Sequence, residues 1–131
     1  MHNYQFEKFP LSGLHSLFFI NYMDIIFVEA NRSYCEIFMI NGEKKLCAKS
    51  LGEVEKKLPS TIFFRCHQSF VINLNYLQEY NKKENIITLC NDISIPLAIK
   101  RKELFFEMVK YYLRKSTLFR INLIIRQIKL H

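Results

Sequence analysis

Residues Asp24–Ser50 read DIIFVEANRSYCEIFMINGEKKLCAKS, three runs separated by Asn31-Arg32-Ser33 and by Asn41-Gly42. The Ile, Val and Phe of Asp24–Glu29 suit a buried strand, because β-branched and aromatic side chains pack well on a pleated surface. Asn31-Arg32-Ser33 then breaks the run. Asn41-Gly42 lies between Ser33–Ile40 and Glu43–Ser50, and a dipeptide that accepts positive φ between two such runs is the strongest short hairpin signal. Alternation places Cys35, Ile37 and Met39 on the core face, whereas Glu36, Lys45 and Lys49 mark the other face as wetter. A two-residue turn pairs Cys35 with Ala48 and Glu36 with Cys47. On that register Cys35 and Cys47 point to opposite faces and cannot bond.

Beyond the hairpin, Ser50-Leu51-Gly52-Glu53 has the form of a capping box: a hydroxyl for the free amides and a carboxylate three residues on that reaches back. A short helix follows, with Leu51, Val54 and Leu58 on its apolar side, Glu55, Lys56 and Lys57 on its wet side, and Pro59 as its stop. Ile62–Cys66, Tyr76–Tyr80, Ile86–Cys90 and Ile93–Ile95 are apolar runs divided by polar turns, and they read as antiparallel strands. The spacing of Leu104, Phe105, Met108, Val109 and Tyr112 predicts a C-terminal helix. After Arg114 the pattern is ambiguous: Leu118, Ile121, Ile125 and Ile128 suit a helix, whereas Phe119, Ile121, Leu123 and Ile125 suit a strand. In the other direction, Leu17–Val28 is interrupted by Asn21 and Asp24, so it is too short and polar to span a bilayer and reads as two strands.

The 131 residues fit one domain able to bury a working core. Half are apolar and 24% charged, which argues against a disordered chain; three Gly and three Pro leave no room for a flexible linker. Glu7 and Lys8 precede any apolar run and no small-residue cleavage site follows, so a cytoplasmic location is expected. The four cysteines, Cys35, Cys47, Cys66 and Cys90, form no Cys-x-x-Cys pair, so neither a zinc site nor any other metal or cofactor is expected.

Charge is distributed unevenly. Residues 1–99 carry ten Lys/Arg against ten Asp/Glu, whereas residues 100–131 carry nine against two, so the whole net charge of +7 arises in the last quarter. Such a field attracts polyanions: nucleic acid, an anionic membrane surface or an acidic protein. Cations near the start of the final helix also oppose its dipole, at about 0.3 to 1 kcal/mol each when exposed, which phosphate binding would explain and ordinary packing could offset.

The order of elements, with DIIFVEA before the Asn31–Tyr34 loop, the hairpin, the short helix ending in Lys57-Leu58-Pro59, FFRCHQSFVIN (Phe63–Asn73) and IPLAIKRKELF (Ile95–Phe105), resembles the LytTR family of bacterial DNA-binding domains. The resemblance covers about residues 16–113, leaving 1–15 as an N-terminal extension and 114–131 as a basic tail. It implies a mainly β fold with short helices, an elongated stack of small antiparallel sheets ending in a C-terminal helix. It also implies a non-enzymatic output module of a response regulator that binds double-stranded DNA specifically, its loops entering major grooves at paired direct repeats. A second copy on the repeat and, in a two-component system, an upstream receiver domain and sensor kinase are the partners implied. Carried onto this chain, the DNA-facing places are the Asn31, Arg32, Ser33 and Tyr34 loop, the His67, Gln68 and Ser69 turn, and Lys100 with Arg101; Lys102 continues the basic segment. Arg65 is a candidate either for phosphate or for holding the turn. A Gln placed bidentate on adenine discriminates by about 1 to 3 kcal/mol, which suits Gln68. Lys100 stands where some relatives carry Arg, which favours phosphate over forked base recognition.

Other readings attach to particular residues. Cys66 and His67 are neighbours in a strand and point opposite ways, so they do not form a nucleophile and base pair, although redox control through Cys66 stays open. Residues 116–131 mix Ile/Leu with Arg/Lys and could bind a membrane surface or a protein partner. Phe63, Phe64, Phe70, Val71 and Ile72 are expected in the core, since no basic interleaving suggests a platform for single strands.

Overall fold

A computed structural model describes residues 8–115, which form three antiparallel sheets, a short helix and a C-terminal helix. Strands β1 (Lys8–Ser12) and β2 (Leu17–Asn21) make a hairpin. Strands β3 (Ile25–Asn31), β4 (Tyr34–Met39), β5 (Lys44–Cys47), β6 (Phe63–His67) and β7 (Phe70–Asn73) form the central sheet in the order β5-β4-β3-β7-β6. Strands β8 (Leu77–Asn81), β9 (Ile86–Leu89) and β10 (Ile93–Pro96) form a third, in the order β10-β9-β8. Helix α1 spans Leu51–Lys57, and α2 spans 102–115.

The central sheet is covered on both faces, which explains why β3 begins as the unbroken apolar run Ile25-Ile26-Phe27-Val28 with every member buried. A register shift between Ile25 and Phe27 turns successive side chains, so that Ile25 and Val28 enter one core while Ile26 and Phe27 enter the other. The first core joins Leu11 and Ile20 of the β1–β2 hairpin to Leu51, Val54 and Leu58 of the α1 region. The second joins Phe64 and Ile72 to Ile87, Leu89 and Ile95 of the third sheet and to Phe105 of α2. Each such side chain contributes about 1.5–3 kcal/mol by leaving water. Asn73 closes β7 inside this packing: fully buried, it donates from Nδ2 to Ile25 O (2.9 Å) and accepts the Asn75 N–H at Oδ1 (2.9 Å).

The capping box forms as expected, with Glu53 N donating to Ser50 Oγ (3.3 Å) and Ser50 N to Glu53 Oε1 (3.5 Å). The hairpin register differs from expectation. Gly42 N donates to Met39 O (3.0 Å) and Met39 N to Glu43 O (2.9 Å), which closes a three-residue loop, Ile40-Asn41-Gly42, with Gly42 at φ +91°. One extra loop residue moves the pairing by one, so Cys35 faces Cys47, Glu36 faces Leu46 and Ile37 faces Lys45. Cys35 and Cys47 therefore share the core face, both fully buried and both free. Burial, and then the neighbouring Cys47, push the Cys35 thiol up to about 11. Lys45 is tolerated on this face because it lies over the Phe18 ring (4.7 Å) and reaches Glu43 (3.2 Å).

Two further differences concern the ends. Strand β1 lies among the residues expected to precede the domain, yet its Leu11 is fully buried and Ser12 O accepts the Ala48 N–H (2.6 Å). In α2 the stripe packed on the second core runs from the buried Phe105 through the half-buried Met108, Val109 and Tyr112, at i, i+3, i+4 and i+7, which leaves Leu104 40% exposed at its margin instead of in the core. The segment after residue 115, including the alternative helix and strand readings of the tail, lies outside the described residues.

Candidate functional site

The site begins at one end of the central sheet. Because β3 runs antiparallel to both β4 and β7, the β3–β4 loop and the β6–β7 turn emerge side by side, and Ala30 N donates to Ser69 O (2.8 Å) between them. A third segment attaches to the edge strand β6: Ala98 N donates to Cys66 O (2.9 Å) and Arg101 Nε to Arg65 O (2.9 Å). The three places singled out in the sequence are thus joined in series, by two main-chain hydrogen bonds and one from the Arg101 side chain, 31–34 beside 67–69 beside 100–101. Between the second and third lies an open recess of about 360 Å³, lined by Glu55, Arg65, His67, Gln68, Lys100 and Arg101 among others.

In the first place Asn31 pairs with Tyr34 across a tight turn in which Arg32 takes φ 58°. Its amide donates from Nδ2 to Glu36 Oε1 (2.9 Å), while Glu36 also meets Lys44 (3.6 Å). Arg32 and Ser33 project into solvent, and Tyr34 is half-buried.

The second place is shaped by a bulge. Arg65 faces Val71 and His67 faces Phe70, so Cys66 is the extra residue on β6. The His67 ring lies beside Phe70 (centroids 5.7 Å apart) and accepts the Ser69 N–H at Nδ1 (3.1 Å). That acceptance leaves Nε2 as the position for the proton of a neutral ring, which makes Nε2 the ring's donor. Gln68 is exposed, and its amide has no intramolecular partner among the described residues. Cys66 points inward: its thiol contacts Phe70 O (3.8 Å) and Pro96 O (3.7 Å), and burial pushes it up to about 12. A thiol so held stays protonated and sealed, which offers little thiolate to an oxidant.

Arg65 is occupied within the molecule. It donates from Nε to His67 O (3.2 Å), from Nη2 to Gln68 O (2.6 Å) and from Nη1 to Glu55 Oε1 (3.2 Å). Of the two roles considered for it, the geometry favours holding the turn. Glu55 is the residue that sequence reading missed: it sat among the solvent-facing residues of α1, and only the packing of α1 against the sheet brings it to a side chain ten positions away.

In the third place Lys100 is exposed and without a partner among the described residues, Arg101 is half-buried with its guanidinium 5.2 Å from the Phe64 ring, and Lys102 opens α2. Apart from Glu55, every ionisable group that lines the recess is cationic or a histidine. No group of His, Cys, Asp and Glu among the described residues has the arrangement of a metal site. What the assembly offers is a run of polar side chains, Arg32, Gln68 and Lys100 exposed and His67 half-buried, at one end of the sheet.

The LytTr DNA-binding domain family matches residues 15–110. The chain is 28% identical over 96 residues to the sensory transduction protein LytT of Enterococcus faecalis, covering 70% of this chain and 39% of that protein. It is 26% identical over 100 residues to the transcriptional regulatory protein BtsR of Escherichia coli, covering 73% and 41%. It therefore spans about two-fifths of the length of these relatives. A solved structure, the LytTr DNA-binding domain of a methyl-accepting/DNA response regulator from Bacillus cereus, superposes with a TM-score of 0.67 over 79% of this chain and 96% of that one, at 20% identity, and shares the fold.

Proposed function

This chain belongs to the LytTR family of DNA-binding domains, a non-enzymatic module of transcription regulators, and from that membership we propose that its three linked loops read duplex DNA sequence-specifically through successive major grooves at promoter direct repeats. Lys100, Lys102 and Arg32 neutralise phosphates and set the register, while His67 Nε2–H and the Gln68 amide reach base edges. Ser33, Ser69, Asn31 and Tyr34 complete the rim, and Arg101 reaches phosphate with whatever part of its guanidinium the Arg65 carbonyl leaves over. The observation that carries the reading is the series of hydrogen bonds joining these loops at one end of the sheet, with Arg32, Gln68 and Lys100 exposed upon them.

On this reading a second copy occupies the neighbouring repeat, a receiver domain and sensor kinase act upstream, and the protein works in the cytoplasm. No described helix is long and apolar enough to cross a membrane. Residues 16–113 carry the DNA-binding activity, β1 completes their core through Leu11, and 114–131 follow as the basic tail.

Selection of bound duplexes from a random pool tests the proposal, since a common motif should be enriched. With that motif in hand, Gln68→Ala should lose about 1 to 3 kcal/mol of discrimination at one or two base pairs. Lys100→Ala should weaken all duplexes alike and reduce the salt slope by about 0.9. Equal losses on operator and random DNA from Gln68→Ala would contradict the base-reading role.

A further inference from the structure

The Glu55–Arg65 pair joins two elements that the fold holds independently. Helix α1 is fixed by its capping box and by Leu51 and Val54 in the core, and Arg65 lies on β6 at the bulge. The Arg65 guanidinium is planar, and three of its corners are taken: one by the Glu55 carboxylate and two by the consecutive carbonyls of His67 and Gln68. A plane held at three points cannot swing without releasing the turn.

As a stability device the pair is poor. Its side chains are 26% and 41% exposed, and ion pairs so placed add little to folding. As electrostatics it is worse than poor for a nucleic-acid surface, because Glu55 sets a carboxylate on the rim of a recess otherwise lined by Arg65, His67, Lys100 and Arg101. An acid that neither stabilises much nor attracts phosphate needs another role. The geometric consequence of its presence is the aim of Arg65, and through Arg65 the placement of His67 and Gln68, whose main-chain carbonyls the guanidinium holds.

We propose that Glu55 is a positioning residue for base reading: it holds Arg65 against the His67 and Gln68 carbonyls, which points the Gln68 amide and His67 Nε2 outward, and by neutralising Arg65 it keeps that cation from binding phosphates indiscriminately. Glu55 thus trades sequence-independent affinity for specificity. The inference rests on the DNA-reading function proposed above.

The test measures affinity of the full chain for the selected operator and for a random duplex across a salt series. Glu55→Ala should bind random duplex about two- to fivefold tighter, with a salt slope steeper by about 0.9 as Arg65 becomes free for a phosphate. Its operator-to-random ratio should fall about five- to tenfold, the loss of part of a bidentate base contact. Glu55→Gln, which keeps an acceptor for Arg65, should recover at least half of that ratio. An unchanged ratio in Glu55→Ala would overturn the proposal, and so would affinities that fall together on both duplexes, the signature of a loosened fold. Wild-type protein that fails to distinguish operator from random DNA would sink the DNA-reading function itself, before any variant is compared.

Discussion

Arg101 stands at the meeting of fold and site, and its substitution separates two contributions that charge alone would merge. Arg101→Ala removes a hydrogen bond from a charged donor to Arg65 O (2.9 Å) and a guanidinium 5.2 Å from the Phe64 ring. Hydrogen bonds to charged groups contribute about 1.5–3 kcal/mol, and the half-buried setting of this one argues for the lower end. The ring contact adds about 0.5–1 kcal/mol. The expected destabilisation is therefore about 2 kcal/mol, or roughly 6–10 °C in melting temperature for a domain of this size. Arg101→Lys keeps the charge but loses the fork and the stacking plane, so it should lose at least half as much stability while leaving the salt slope of DNA binding unchanged. Urea unfolding followed by circular dichroism gives the first quantity, since the chain has no tryptophan to report it; salt-dependent fluorescence anisotropy of a labelled duplex gives the second. If Arg101→Ala unfolds at the wild-type urea midpoint, the anchoring of the 98–101 segment on β6 through this side chain is refuted.

Two glycines should respond oppositely to the same change. Gly42→Ala places a Cβ at φ +91° and should destabilise by about 1 kcal/mol, whereas Gly52→Ala in α1, where a Cβ meets open space, should stabilise by about 0.5–1 kcal/mol; urea midpoints compare them directly. Alkaline stability provides a separate check on the core thiols. Burial raises the pKa of Cys66 from 9.0 to about 12 and of Cys35 to about 11, so unfolded chain loses these protons before folded chain does. Stability is then intact below pH 9 and declines as pH rises toward 11–12, by at most roughly 1.4 kcal/mol per pH unit for each thiol. Cys66→Ala, compared with wild type across that range, should show a shallower decline; identical slopes would mean that Cys66 titrates alike in both states.

Much of the architecture was legible because it rests on local chemistry. A Ser-Leu-Gly-Glu box starts a helix wherever an apolar face can be buried, and the spacing of Phe105, Met108, Val109 and Tyr112 marks the docked side of α2 without any knowledge of what it docks against. Alternation in β4 placed Cys35, Ile37 and Met39 inward correctly. What alternation could not supply was register. Asn41-Gly42 is compatible with a two-residue turn and, as found, with a three-residue loop ending in a positive-φ glycine. The choice depends on strand twist and on Ile40 N reaching Asp24 O (2.8 Å), a contact sixteen positions away. That single residue decides whether Cys47 faces Glu36 or Cys35. β1 was likewise illegible, because a short strand containing a proline gains its meaning only from the core over which it closes.

From residues alone came the element types and the basic C-terminal quarter, which follow from side-chain chemistry read within a few positions; the resemblance carried by FFRCHQSFVIN and its neighbours added the family and three polar places along the chain. Tertiary structure alone decided that Ser69 hydrogen-bonds to Ala30 and Arg101 to Arg65, so that the three places adjoin, and that Arg65 turns inward to Glu55 and the 67–68 carbonyls while Gln68 stays outside. Those outcomes depend on antiparallel order in the central sheet and on one bulge in β6. Both are long-range pairings whose geometry no local sequence pattern encodes.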